Sequence, residues 1–143
     1  MIRQHPEDDF QRSVALLLNS ANWLWWHTPN GGRRWKLEAK RFKAMGVKPG
    51  VPDILIFERW FCPCLDQEHD PTNQGSCDVC AGFYKGFGVA LELKAGKNRV
   101  TPAQQQVLTD LQRRGWLCGV CWNMGQVARL LRCVRPVNGV LIS

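Results

Sequence analysis

In the run Phe87-Gly-Val-Ala-Leu-Glu-Leu-Lys94 a carboxylate and an ammonium stand two residues apart among apolar neighbours. A strand alternates its side chains, so Glu92 and Lys94 project to one face while Val89, Leu91 and Leu93 take the other. An isolated Glu-x-Lys on a half-buried strand is ordinarily an exposed ion pair of small worth. Here the run around it is strongly apolar, and a charged pair at the end of a central strand carries a desolvation cost unless it binds something. Asp53 follows Gly50-Val-Pro52 and opens a second apolar run, Asp53-Ile-Leu-Ile-Phe57, which puts another carboxylate at a strand end where a turn holds it. Two carboxylates from neighbouring strands can hold a hard cation, whose preferred ligands are oxygens.

Cysteines form the second chemical group. Cys62-Pro-Cys64 and Cys77-Asp-Val-Cys80 enclose twelve residues rich in Asp, Asn, Gln, Gly and Pro, with almost nothing to form a core. Four thiolates around Zn²⁺ would fold such a loop, and Gly82 suits a knuckle turn behind the second pair. The first pair has one intervening residue where two are usual, which leaves His69 or Asp66 as a substitute ligand. Four protein ligands leave no open position, so this zinc is read as structural. Disulfides are the alternative, but seven cysteines is an odd number and no basic-then-apolar leader opens the chain, so reduced thiols are expected. Cys118 and Cys121 are also a CxxC pair, yet on a predicted strand their odd spacing turns the sulfurs to opposite faces. They and Cys133 are expected in the core.

The elements that must position these groups can be read from periodicity. Phe10, Val14, Leu17 and Leu18 predict an amphipathic helix from Pro6 to about Ala21, with Pro6 in its first turn and Glu7, Asp8 and Asp9 at its positive end. Residues Trp23 to Trp26 predict a short aromatic strand, ended by the turn residues 28–32. A basic stretch follows, and any helix in it stops by Gly46. Strands are predicted over 53–57 and 87–94, with a cysteine-rich insert over 60–86 between them. Thr101, Pro102 and Gln104 make a capping box for a helix whose core face is Ala103, Val107, Leu108 and Leu111, with Gly115 as its stop. Trp116 to Trp122 predicts a strand. Asn123 with Gln126 resembles a second capping box, for a short helix with Val127, Leu130 and Leu131 inward, and Val140 to Ile142 an edge strand. This order predicts an α/β fold, with helices around a mixed central sheet, in a single domain over 1–143.

The chain has 143 residues, 45% of them apolar and 22% charged, and a net charge of +7. Residues 53–80 hold six acids against one cation, Arg59, so the rest of the chain carries eighteen cations and six acids. Such a surface favours a polyanion, and nucleic acid leads. Membrane is disfavoured because no apolar run approaches the roughly 20 residues of a spanning helix. A soluble, cytoplasmic setting is expected. Seven cations, Arg33, Arg34, Lys36, Lys40, Arg41, Lys43 and Lys48, lie together with Trp35, Phe42 and the single acid Glu38. They are the expected phosphate-contact surface, unless they simply form a solvated helix face.

Gly50-Val-Pro-Asp53, then Ala90-Leu-Glu92-Leu-Lys94, then Thr101-Pro-Ala-Gln104 heading a helix, resembles the PD-(D/E)xK nuclease superfamily and, within it, the VRR-NUC (virus-type replication-repair nuclease) family. Glu7-Asp-Asp-Phe-Gln11, Asn30-Gly31 and the stretch from Gly115 to Val120 extend the likeness to nearly the whole chain except 58–86. The resemblance implies a restriction-endonuclease-like core and a Mg²⁺- or Mn²⁺-dependent nuclease. It makes Asp53, Glu92 and the Leu93 backbone carbonyl ligands of the catalytic metal, and Glu7 a ligand of a second metal or of water on it. Lys94 would orient the attacking water or steady the phosphate, and Gln104 would hold the water or the scissile phosphate. Other readings of the same residues stay open: Glu7 serving the helix dipole, Gln104 only capping, with Gln105 or Gln106 in its role, and Asp53 capping a turn. The substrate implied is DNA, with branched, flap or four-way-junction structures favoured, and stand-alone members of the family imply a homodimer and a prokaryotic or phage setting. A non-catalytic zinc-stabilised DNA-binding protein, an RNA-directed nuclease and a toxin-like effector are the alternatives.

Overall fold

The computed structural model describes residues 5–28, 36–63, 79–80 and 85–143. Helix α1 (Pro6–Ser20) has proline in its first turn and Glu7, Asp8 and Asp9 at its N-terminal end, and it buries Val14 and Leu18. Strand β1 (Trp25–His27), helix α2 (Lys36–Ala44), strand β2 (Ile54–Phe61) and strand β3 (Lys85–Leu93) follow. Helix α3 (Pro102–Gln112), strand β4 (Leu117–Cys121), helix α4 (Met124–Leu131) and strand β5 (Val134–Arg135) complete the order.

The sheet runs β1-β2-β3-β4, with β5 also paired to β2. β2 is antiparallel to β1, β3 and β5, whereas β3 and β4 are parallel. The parallel pair requires a crossover, which α3 supplies. One face of the sheet presents Ile54, Ile56, Val89, Leu91, Leu93, Leu117 and Cys121, which join Val14 and Leu18 of α1 and Val127, Leu130 and Leu131 of α4 in a single buried cluster. The other face receives α3, where the Cys118 thiol lies 3.5 Å from the Leu108 carbonyl. The result is the expected mixed sheet flanked by helices, and among the described residues no helix is long and apolar enough to cross a membrane.

Several local expectations change. β2 continues to Phe61, with a register irregularity between Ile56 and Arg59, and pairs Trp60 with Gly86 and Phe61 with Lys85. The first two and last two residues of the expected insert therefore belong to a hairpin. Val140 to Ile142 is not a strand. Val140 is held instead by the α1–β1 turn, donating to the Ala21 carbonyl and accepting from the Trp23 indole, while Val134–Arg135 takes the place beside β2. Trp23, expected in the strand, turns into the core. Ala103, expected inward, is exposed.

Candidate active site

Three backbone devices set the site. The first is the turn before β2: Gly50 has φ +79°, and a Cβ there would lie 2.5 Å from the Ala103 carbonyl carbon and 2.8 Å from the Gln104 nitrogen. Only glycine lets this turn lie against the first turn of α3. The second is the end of β3, where the Leu93 N–H donates to Asp53 Oδ2 at 2.7 Å and the Lys94 N–H donates to the Cys121 carbonyl at 2.9 Å. The third is the α3 capping box: Gln104 N–H donates to Thr101 Oγ1 at 3.2 Å, and the Gln104 Oε1 accepts from the Thr101 N–H at 2.9 Å.

These devices converge on Glu92, which is 1% exposed. Its Oε1 accepts from Lys94 Nζ at 2.9 Å and from Gln104 Nε2 at 2.6 Å. Its Oε2 is buried and has no hydrogen-bond partner. Gln104 thus makes the expected cap with its amide oxygen, while its amide nitrogen holds the Glu92 carboxylate, a contact that its expected role at the water or phosphate did not include. Lys94 is itself buried. Burial pushes the Glu92 carboxyl up; the Lys94 hydrogen bond opposes this, and the charge of Asp53 adds to it. Burial also pushes Asp53 up, against the Leu93 hydrogen bond and the charges of Lys94 and His27.

Glu7 is placed differently. From the first turn of α1 its Oε1 accepts from Asn98 Nδ2 at 2.6 Å and from the Ala95 N–H at 3.3 Å, on the loop after β3. Its charge raises both Asp53 and Glu92. Even so, among the described residues no group of three or more His, Cys, Asp and Glu is gathered to hold a metal ion. The structure therefore joins Asp53, Glu92, Lys94 and Gln104, and clips Glu7 to the neighbouring loop.

Two residues were missed from sequence. Asn98 fixes Glu7, and its carbonyl accepts from the Trp122 indole at 3.4 Å. His27 Nδ1 lies 2.9 Å from the Asp53 carbonyl, which also accepts from the Thr28 N–H at 2.8 Å. A carbonyl can only accept, so Nδ1 carries the proton in this contact. The end of a tryptophan-rich strand gave a hint of His27 only in retrospect, and nothing in the sequence singles out Asn98.

Of the basic segment, Lys40, Arg41, Lys43 and Lys48 are exposed, and Lys36 opens α2. Arg33, Arg34 and the Lys36 side chain lie outside the described residues, as do Cys64, Cys77, His69 and Asp66. Cys62 and Cys80, at the two ends of the cysteine cluster, are both buried in the core. Cys121 is in the core as well, and Cys118 faces α3, so the second CxxC pair divides across the sheet.

No protein-family model matches the chain, and no curated protein does. Among solved structures, one named "VRR_NUC domain protein" is similar to it, with 23% sequence identity and a TM-score of 0.56 over 88% of this chain and 84% of that one. At this identity the likeness is one of fold: the chain has the fold of a VRR_NUC domain, with its mixed sheet and flanking helices.

Proposed function

We propose that this chain is a divalent-metal-dependent nuclease that hydrolyses phosphodiester bonds in DNA, branched, flap or four-way-junction structures above all. The observation that carries this reading is the unpartnered, buried Oε2 of Glu92. An unpaired buried carboxylate oxygen costs free energy, and a hard cation is the partner whose chemistry suits it. Asp53, pinned by the Leu93 N–H, supplies a second carboxylate at the adjoining strand end. Asp53, Glu92 and the Leu93 carbonyl would hold Mg²⁺ or Mn²⁺, with Glu7 supporting a second ion or its water from the first turn of α1. A bound divalent ion supplies positive charge against the phosphate and a nucleophile at neutral pH.

The other roles belong to the chain's own side chains. Lys94 spends one ammonium proton on Glu92, which fixes its Nζ beside the carboxylate. Its remaining protons are donors for the attacking water or for the charge that develops on the phosphate. Gln104 holds Glu92 in one rotamer from a capped helix start, so the carboxylate is set before substrate arrives. Arg33, Arg34, Lys36, Lys40, Arg41, Lys43 and Lys48 would contact phosphates along the strand. Cys62, Cys64, Cys77 and Cys80 would bind a structural zinc, with His69 or Asp66 as substitute ligands. A homodimer would offer two such sites to two strands.

Cleavage of a panel of duplex, flap, four-way-junction and RNA substrates, with Mg²⁺, with Mn²⁺ and with EDTA, tests the reading. Glu92→Gln and Lys94→Ala are each expected to lower Mg²⁺-dependent cleavage by about a hundredfold or more while circular dichroism remains that of the folded protein. Undiminished cutting by either variant would sink the assignment.

A further inference from the structure

The sheet face that carries Asp53 and Glu92 also carries an aromatic cluster that the carboxylate chemistry does not use. Trp26 is the register partner of Leu55, and Leu55 of Ala90. Ile54 and Ile56 point into the core, so Asp53, Leu55 and Phe57 share the opposite face with Trp26, Ala90 and Glu92. Trp26 lies against Phe57, with ring centroids 3.9 Å apart and planes tilted by 37°. Trp116 meets the other side of this pair edge-on, 5.7 Å from Phe57 at 85°. Its ring covers Gly88, where a Cβ would lie 2.4 Å from it. The cluster is therefore braced from below, yet Trp26 at its rim is 51% exposed.

We propose that Trp26, backed by Phe57 and Trp116, stacks an unpaired base of the strand whose phosphate meets the divalent ion that Asp53 and Glu92 would hold. The substrate class is then DNA with unpaired nucleotides beside the scissile bond. This rests on the nuclease reading for the position of the phosphate. The platform is continuous with that site: Leu55, the register partner of Trp26, is two residues from Asp53, about 7 Å along the strand. That span brings the nucleotide neighbouring a bound phosphate to the ring. The net charge of +7 favours a polyanion as the occupant. Aromatic rings beside cations bind single-stranded nucleic acid without regard to sequence, since every base offers a π-face. A base inside a duplex must first be unstacked to offer that face, so the platform favours strands that are already open.

The test is binding with Ca²⁺ in place of Mg²⁺ or Mn²⁺ as the hard cation on the carboxylates, read by fluorescence anisotropy with labelled oligo(dT), a duplex with splayed arms and a fully paired duplex. Trp26→Leu keeps an apolar side chain and removes the ring; Trp26→Phe keeps a ring. Trp26→Leu should weaken binding of oligo(dT) and the splayed duplex about tenfold and change the paired duplex by less than about twofold, with Trp26→Phe close to the original protein. Equal weakening on all three probes, or none, overturns the proposal. So does a dimer that Trp26→Leu splits into monomers in sedimentation velocity, because the face would then be a protein contact. Cleavage is measured in parallel with Mg²⁺ on these probes, a flap and a four-way junction. Trp26-dependent binding by a protein that cuts none of the probes would remove the nuclease reading and leave the stacking platform, whereas cutting that ignores Trp26 would remove only the platform.

Discussion

Asp53 is a carboxylate whose burial works against its charge. Burial raises its carboxyl above the usual range, and this outweighs the Leu93 hydrogen bond and the nearby Lys94 and His27. A carboxyl raised in the folded state contributes stability that is present below its unfolded pKa and lost as the pH rises through the folded one. Asp53→Asn retains an oxygen that can accept from the Leu93 N–H and has no charge to bury. Without added Mg²⁺ or Mn²⁺, its melting temperature near neutral pH should therefore equal or exceed that of the original protein, and the difference should close towards about pH 4. Added Mg²⁺ should raise the melting temperature of the original protein by mass action and leave the variant unmoved. A clear loss of stability in Asp53→Asn, or an equal response to Mg²⁺, would contradict this. The thiols of Cys118 and Cys121 give a second prediction at this scale. Burial pushes both up to about 12, so neither supplies thiolate at ordinary pH. Peptide mapping after native-state alkylation at about pH 8 should find both unmodified, and labelling of either under those conditions would contradict its burial. At single residues, period-2 alternation was enough to pair Glu92 with Lys94, because it depends only on parity along one strand. His27 and Asn98 were not legible, because each acts through a contact with a residue far away in the chain.

At the scale of elements, the legible features were those whose chemistry is local. Thr101, Pro102 and Gln104 form the capping box that their spacing predicted. Asn123 does accept from the Gln126 N–H, but the Gln126 amide oxygen reaches the Trp122 N–H, so the second box closes one residue early. Strand ends were less legible because partners set them: β2 runs on to Phe61 because Lys85 and Gly86 stand opposite, and Val140 is drawn away from the sheet by Ala21 and Trp23. The turn at Gly50 joins two elements, and its effect can be measured. Gly50→Ala combines a positive φ with a Cβ against backbone atoms of α3, an expected cost of about 2–4 kcal/mol in urea denaturation. Gly46 is the control, since its φ is +93° but nothing lies within 4 Å of a Cβ there; Gly46→Ala should cost only about 1–2 kcal/mol. Because the Gly50 turn sets Asp53 against the α3 start that holds Glu92, Gly50→Ala should also lose cleavage under conditions where it is fully folded, and Gly46→Ala should not. Equal costs for the two would mean that the contact with α3 is not what the glycine provides.

At the scale of the molecule, the charge layout and the cysteines belong together. Half of the acids lie within residues 53–80, and that stretch begins at the candidate metal site and ends at Cys80. The β2–β3 hairpin already closes this excursion at its base, since Trp60 pairs with Gly86 and Cys62 and Cys80 are both buried in the core. Much of the loop-closure entropy is therefore met by the hairpin, which lowers the cost of the four-thiolate zinc site proposed above. Between Cys64 and Cys77 the only aliphatic side chain is Leu65, among Asp66, Glu68 and Asp70, so the sequence offers little apolar surface to order this loop and a metal is the proposed substitute. Protein purified without chelator should then contain one zinc per chain by elemental analysis, because a single four-thiolate site takes one ion. Cys64→Ser and Cys77→Ser should lose the zinc and lower the melting temperature, because binding energy at a structural zinc site is folding energy. Cys118→Ser should keep the zinc, since its sulfur faces α3 on the other side of the sheet from Cys121. Zinc-free protein, or a Cys118→Ser variant that loses the ion while Cys64→Ser retains it, would show that the cysteine cluster folds by some means other than this metal.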